Sequence, residues 1–426
     1  MPNESSYRDE FTTPCSAEGL KVVQVTSDAG RDSYAYYLDT PSWTPDSQRF
    51  AFHREAGDNG AGPPGMWLCD TGDGFSIRPV CEYRSGHNPA DPKDGESYGC
   101  VLSPDGAAAY EMVRAGDRVE VRRIPLDGGA REAVCAAPAP LRSRGSFTMS
   151  ADGRRLCMGN FLGDGRTEGA PWGATIFDVS AGKWWTIEFG NGYRNMHCVY
   201  SPDPSSYDIA LDASPPKLSD GSWLTPPDGS WRWQDLPPDD GLGAAVTVVR
   251  DDGTDWRMTP IGRDRLTIIS HNVWRGRTGS IVCSAYHFPE GRWRSAFFEA
   301  APVPAGADDL LRGEHMPGTR NVDLTRYLPR ADGCHFGFDH SGRHFVSDTD
   351  GYAYPQHCYV YIGTRVKPDW GDPYVRVKYL LLPRTSWKSQ PAHPHPYLSP
   401  DGRFAVVQSD FFGRPQVFVA FGYEFP

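Results

Sequence analysis

Ser399-Pro400-Asp401-Gly402-Arg403-Phe404-Ala405-Val406-Val407 is a tight turn followed at once by a strand. Proline presets φ for the turn, aspartate can bond back to the chain, and glycine completes the reversal with positive φ. The same device, intact or degraded, recurs as Thr44-Pro45-Asp46, Ser103-Pro104-Asp105-Gly106, Ser150-Ala151-Asp152-Gly153, Ser201-Pro202-Asp203 and Asp339-His340-Ser341-Gly342, with a weaker copy in Arg275-Gly276-Arg277-Thr278-Gly279. Successive copies lie 59, 47, 51, 74, 64 and 60 residues apart. That spacing suits one four-stranded sheet per copy with loops of variable length. Seven copies predict an all-β, seven-bladed β-propeller occupying residues 1–426 as a single domain. Arg49-Phe50-Ala51-Phe52 and Arg343-His344-Phe345-Val346 are strands of the same kind.

The last copy, ending near Gln416-Val417-Phe418-Val419, supplies too few strands for its own blade. Lys21-Val22-Val23-Gln24 is the natural outermost strand, closing the ring and removing the exposed edge of an open array. Residues 1–19 are then an N-terminal tail. The longest interval holds an insert rich in proline and tryptophan, Pro215 to Gly241, expected to be a loop or lid.

Composition narrows the function. A net charge of -11 opposes non-specific attraction to nucleic acid or to an anionic membrane. The N-terminus carries no basic and apolar leader pattern, and no run of 18 apolar residues occurs, so a cytoplasmic protein is expected. The ten cysteines form no CxxC pair and are expected to be free thiols. Nothing points to an oligomer.

Four residues before each turn stand Thr40, Gly99, Ser146, His197, His271, His335 and His395. Only 12 of 426 residues are histidine, so chance puts fewer than one among seven positions. Rotational symmetry should gather these four imidazoles at one mouth of the channel, just before the innermost strand of each blade. A single histidine in such a place is more often packing; four in one register point to a metal or to acid–base work. Gln390-Pro391-Ala392-His393-Pro394-His395-Pro396 adds a denser signal. Its three prolines argue for an extended segment in which His393 and His395, two apart, face the same side and can share an ion.

With these residues the chain resembles the oligogalacturonate lyases, the seven-bladed enzymes of pectin catabolism forming polysaccharide lyase family 22. The resemblance implies a divalent ion, Mn2+ above all, held by His271, Gln390, His393 and His395. It makes His197 the base. Arg194 and His335 are candidates for contacting substrate, a short oligouronate. The insert and the degraded turn at Arg275 depart from the compact enzymes of that family and bear on substrate size. Imidazole and carboxamide are neutral ligands, so the ion keeps its full charge for a uronate carboxylate, as β-elimination next to that carboxylate requires. Ligand type alone also admits zinc, iron or nickel. Competing readings are a lyase of the ulvan type, a metal-activated hydrolase, and a non-catalytic propeller of the TolB type used for binding.

Overall fold

The computed structural model describes residues 5–37, 42–58, 62–82, 95–139, 141–163, 171–190, 197–212, 246–259, 267–287, 294–304, 322–329, 333–349, 351 and 355–426. Seven antiparallel sheets make up the described residues, most of them meanders of consecutive strands. Their innermost strands are Ser33–Ala35, Ser97–Leu102, Arg142–Met149, Val199–Tyr200, Thr267–Trp274, Gly333–Phe338 and Tyr397–Leu398. The protein is a seven-bladed β-propeller. Among the described residues no helix is long and apolar enough to cross a membrane.

The repeated turns close by one hydrogen-bond scheme. In Ser399 to Gly402 the serine hydroxyl donates to Asp401 Oδ1 at 2.8 Å and accepts from Phe404 N–H at 3.0 Å, while Asp401 accepts from Arg403 N–H at 3.0 Å. Ser103 with Asp105, Ser150 with Asp152, and Thr44 with Asp46 repeat it. Glycine takes φ of +69°, +72° and +74° at Gly106, Gly153 and Gly402, where a Cβ is strained. Ser47, at φ 58°, fills that role in the first copy.

Seven apolar clusters lie one at each junction of neighbouring blades. One joins Val346, Ile362 and Leu380 to Leu398, Val407 and Phe418; another joins Phe50 and Trp67 to Val406 and Val419. The core is thus a ring of interlocked sheet faces around a channel. Blade-to-blade ion pairs reinforce it, as where buried Glu299 meets Arg275 at 3.0 Å and Arg365 at 2.6 Å.

Ring closure follows the expected route. Lys21–Gln24 pairs with Gln416–Phe421, with Val23 opposite Val419. The tail adds a further outer strand, Ser6–Tyr7, paired with Lys21–Gln24. All ten cysteines are free thiols. The insert at 215–241 lies outside the described residues.

The inner strands run further than expected on the side of the histidines. His197 and His395 do precede theirs, but His271 and His335 lie inside Thr267–Trp274 and Gly333–Phe338. At these positions the ladder slips: between Ile269 and His271, and between Gly333 and Phe336. Gly99 sits beside a matching slip after Ser97. A bulge inserts one residue and re-aims side chains, so at Gly99, His271 and His335 the register position is where the inner strand bends.

Candidate metal centre

His335, His393 and His395 bring ligand atoms to within 4.8 Å of one another. All three side chains are buried. His335 comes from the sixth blade and the other two from the approach to the seventh. Gly337, two residues after His335, has no room for a side chain: a Cβ there would lie 2.6 Å from the Tyr397 Cα. The inner strands of the two blades therefore approach backbone to backbone, and ring centroids of His335 and His395 come to 4.4 Å.

The segment delivering His393 and His395 departs from the expected extended form. Gln390–Ala392 is a single 3-10 turn with Pro391 inside it. Proline tolerates a first helical turn because its missing N–H is unneeded there. Three of the six non-glycine residues with positive φ among the described residues fall in this stretch: Arg384, Trp387 and His395. Such concentrated backbone strain persists where surrounding contacts overdetermine the chain. Thr385 and Ser386 bond to Asp410, and Trp387 stacks on His393 with centroids 4.2 Å apart.

Two of the three imidazoles, His335 and His395, are gripped from behind. Asp348, fully buried, accepts from the His335 backbone N–H at 2.8 Å and lies 2.8 Å from His335 Nδ1. Gln408 stands 3.1 Å from His395 Nδ1. Its amide is anchored by Ala35 N–H, which donates to Oε1 at 2.7 Å, and by the Pro391 carbonyl, which accepts from Nε2 at 3.0 Å. Burial drives His335 down to about 3 and His393 down to about 4, and pushes Asp348 up to about 8. Neutral imidazoles offer lone pairs, and a carboxylate buried behind one of them is short of positive charge. That donor set fits a divalent cation, for which a carboxylate behind a ligating histidine is a recurrent support.

Of the expected ligands, His393 and His395 lie together, and His335 joins them. His271 was expected in the ligand set and His335 against substrate; His335 instead groups with His393 and His395. His271 stands beside it, rings 4.4 Å apart, and groups with Cys334 and His335. The bulges at His271 and His335 set how far each ring reaches across the channel, which position in the register alone does not fix. Burial and the neighbouring imidazoles hold His271 well below the usual histidine range. Gln390 is exposed at the start of the 3-10 turn. His197 is partly exposed. Arg194 lies outside the described residues, as does Thr40.

One residue at the centre carried no signal in the turn register. Tyr37, from the first blade, stacks on His197 at 5.3 Å and meets His395 edge-on at 5.1 Å. It also lies 6.2 Å from His335 and 6.3 Å from His271. A single phenol ring thus lies within 6.3 Å, centroid to centroid, of all four histidines of the register. The aromatic run Tyr34-Ala35-Tyr36-Tyr37 before the first turn was the available clue.

No protein-family model and no curated protein matches the sequence. Solved structures do match in fold. An oligogalacturonate lyase in complex with manganese is 18% identical, with 99% of this chain and 97% of that one covered and a TM-score of 0.68. An oligogalacturonate lyase from Vibrio parahaemolyticus is 14% identical, with 98% and 96% covered and a TM-score of 0.67. At such identities the likeness is one of fold, and it extends over the whole propeller.

Proposed function

We propose that the chain is a metal-dependent lyase that cleaves short oligogalacturonides by β-elimination. The observation that carries this reading is the convergence of His335, His393 and His395, with Asp348 behind the first. These three imidazoles would hold the ion, and Gln390, at the same turn as His393, would add a neutral amide donor. Manganese is the ion favoured here, because the similar lyase structure is a manganese complex. When bound, the ion neutralises a uronate carboxylate and so acidifies the adjacent carbon.

The chain's own residues then divide the work. Asp348 keeps the His335 ring oriented with its Nδ1 turned away from the channel. His271, whose ring lies 4.4 Å from that of His335 and which burial holds neutral, takes the α-proton. The base role expected of His197 passes to it in this proposal. His197, open to the channel and braced by Tyr37, lines the space for the sugar. Arg194 is retained as a partner for a second carboxylate, since guanidinium binds carboxylate bidentately. The net charge of -11 makes a locally positive centre the means of drawing in an anionic sugar and gives no support to nucleic-acid or membrane partners.

The test is to incubate purified protein with digalacturonate and Mn2+, then with chelator, and to follow products by mass. Cleavage that needs the metal and adds no water is expected. A mass increment of one water would replace the lyase with a hydrolase. No turnover of any oligouronate would leave a binding propeller.

A further inference from the structure

Cys334 and His335 are neighbours in sequence and would face opposite sides of a regular strand. The slip between Gly333 and Phe336 turns both toward the channel mouth. Cys334 Sγ lies 3.8 Å from His335 Nε2 and 3.8 Å from His271 Nδ1. His271 Nδ1 is also 3.3 Å from Ser284 Oγ. The ligand atoms of His271, Cys334 and His335 all fall within 4.8 Å of one another. For a tetrahedral ion with Zn–S near 2.3 Å and Zn–N of about 2.0–2.1 Å, sulfur and nitrogen ligands sit about 3.6 Å apart. The observed separations are within a few tenths of an ångström of that edge.

The geometry points to a second metal position, formed by His271, Cys334 and His335, that takes zinc or another soft divalent ion. Two imidazoles and a thiolate favour such ions over manganese, which prefers oxygen ligands. On binding, the Cys334 thiol gives its proton to solvent and the sulfur lone pair goes to the ion; no electron changes hands. This position shares His335 with the trio of His335, His393 and His395. Asp348 engages Nδ1 of that ring, so the lone pair of Nε2 serves one ion at a time. The two positions therefore exclude each other. The site itself stands apart from the lyase reading; a further consequence rests on that reading, namely that zinc would remove both a ligand of the catalytic ion and the lone pair of the proposed base.

Cobalt, a spectroscopic stand-in for zinc, separates the alternatives. Metal-free full-length protein is titrated with Co2+, and thiolate-to-cobalt charge transfer is followed in the near ultraviolet. The band should appear in the unmodified protein and be displaced by stoichiometric Zn2+. It should vanish in Cys334→Ser and persist in His393→Ala and in Cys358→Ser, whose cysteine donates to the Thr349 carbonyl at 3.2 Å. Cobalt bound without the band overturns the site and leaves the lyase reading standing. A band that persists in Cys334→Ser, or one lost in His393→Ala, overturns it too, the latter by merging the thiolate with the other position. Absence of lyase turnover has no bearing on the band.

Discussion

Asp348 holds His335 by two hydrogen bonds at once, one carboxylate oxygen on the backbone N–H and the other on ring Nδ1, each at 2.8 Å. The arrangement fixes both where the ring sits and which nitrogen faces the channel. Supports of this kind typically govern roughly 10–100-fold in metal affinity. Asp348→Asn should weaken Mn2+ binding by about that factor with the circular dichroism unchanged. Titration calorimetry on metal-free protein measures it, and an unaltered affinity would remove Asp348 from the centre.

Ligand and base separate by variant. His393→Ala should lose bound metal and turnover together. His271→Ala should keep manganese yet lose roughly 10²- to 10⁴-fold in rate, the usual contribution of a general base. His197→Ala should retain metal and most of the rate. Metal analysis beside kinetics decides; full loss of rate in His197→Ala with His271→Ala unaffected would return the base role to His197.

Tyr37 is judged by a pair of substitutions. Tyr37→Phe preserves the rings stacked against His197 and His395, whereas Tyr37→Ala removes them. If the phenol braces the histidines, Tyr37→Phe keeps most of the turnover and Tyr37→Ala loses at least about tenfold, of the order expected when positioning fails. Equal losses in both variants would instead implicate the hydroxyl.

The pH dependence has a definite sign. His335 and His393 fall from 6.5 to about 3 and about 4 in the fold, and His340 also to about 4. Between 6.5 and about 4 the unfolded chain therefore binds protons at these histidines that the folded chain refuses, so acidification destabilises. Asp348, raised to about 8, acts in the opposite direction across much of this window, but three histidines outweigh one aspartate. The melting temperature of metal-free protein should fall as pH drops from 6.5 toward about 4. Thermal melts at fixed ionic strength provide the check, and a flat profile would contradict the burial of these imidazoles.

The fold was legible because a propeller writes its turns in local chemistry. Serine, aspartate and glycine at fixed offsets make the hydrogen bonds seen at Ser103, Ser150 and Ser399, and even the glycine-free copy at Thr44 closes the same way. The histidine register was legible for a related reason: each position abuts a turn of known phase. Which imidazoles converge was not, because bulges at His271 and His335 and the close approach at Gly337 set the reach of each ring across the channel. Asp348 and Gln408 lie on second strands, where no turn marks them. Pro391 misled for a simple reason: a residue that breaks an α-helix interior is at ease in the first turn of a 3-10 helix.

Closure of the ring by Lys21–Gln24 against Gln416–Phe421 has a temporal side. The ribosome makes the first of these strands long before its partner. At a synthesis rate of roughly 5–20 residues per second, the early strand waits some tens of seconds as an unpaired edge. His335, His393 and His395 emerge late as well, so the metal ligands come together only when nearly the whole polypeptide has left the tunnel. A nascent chain stalled before Gln416 would present a sticky, metal-blind array, the form that cellular chaperones are built to hold.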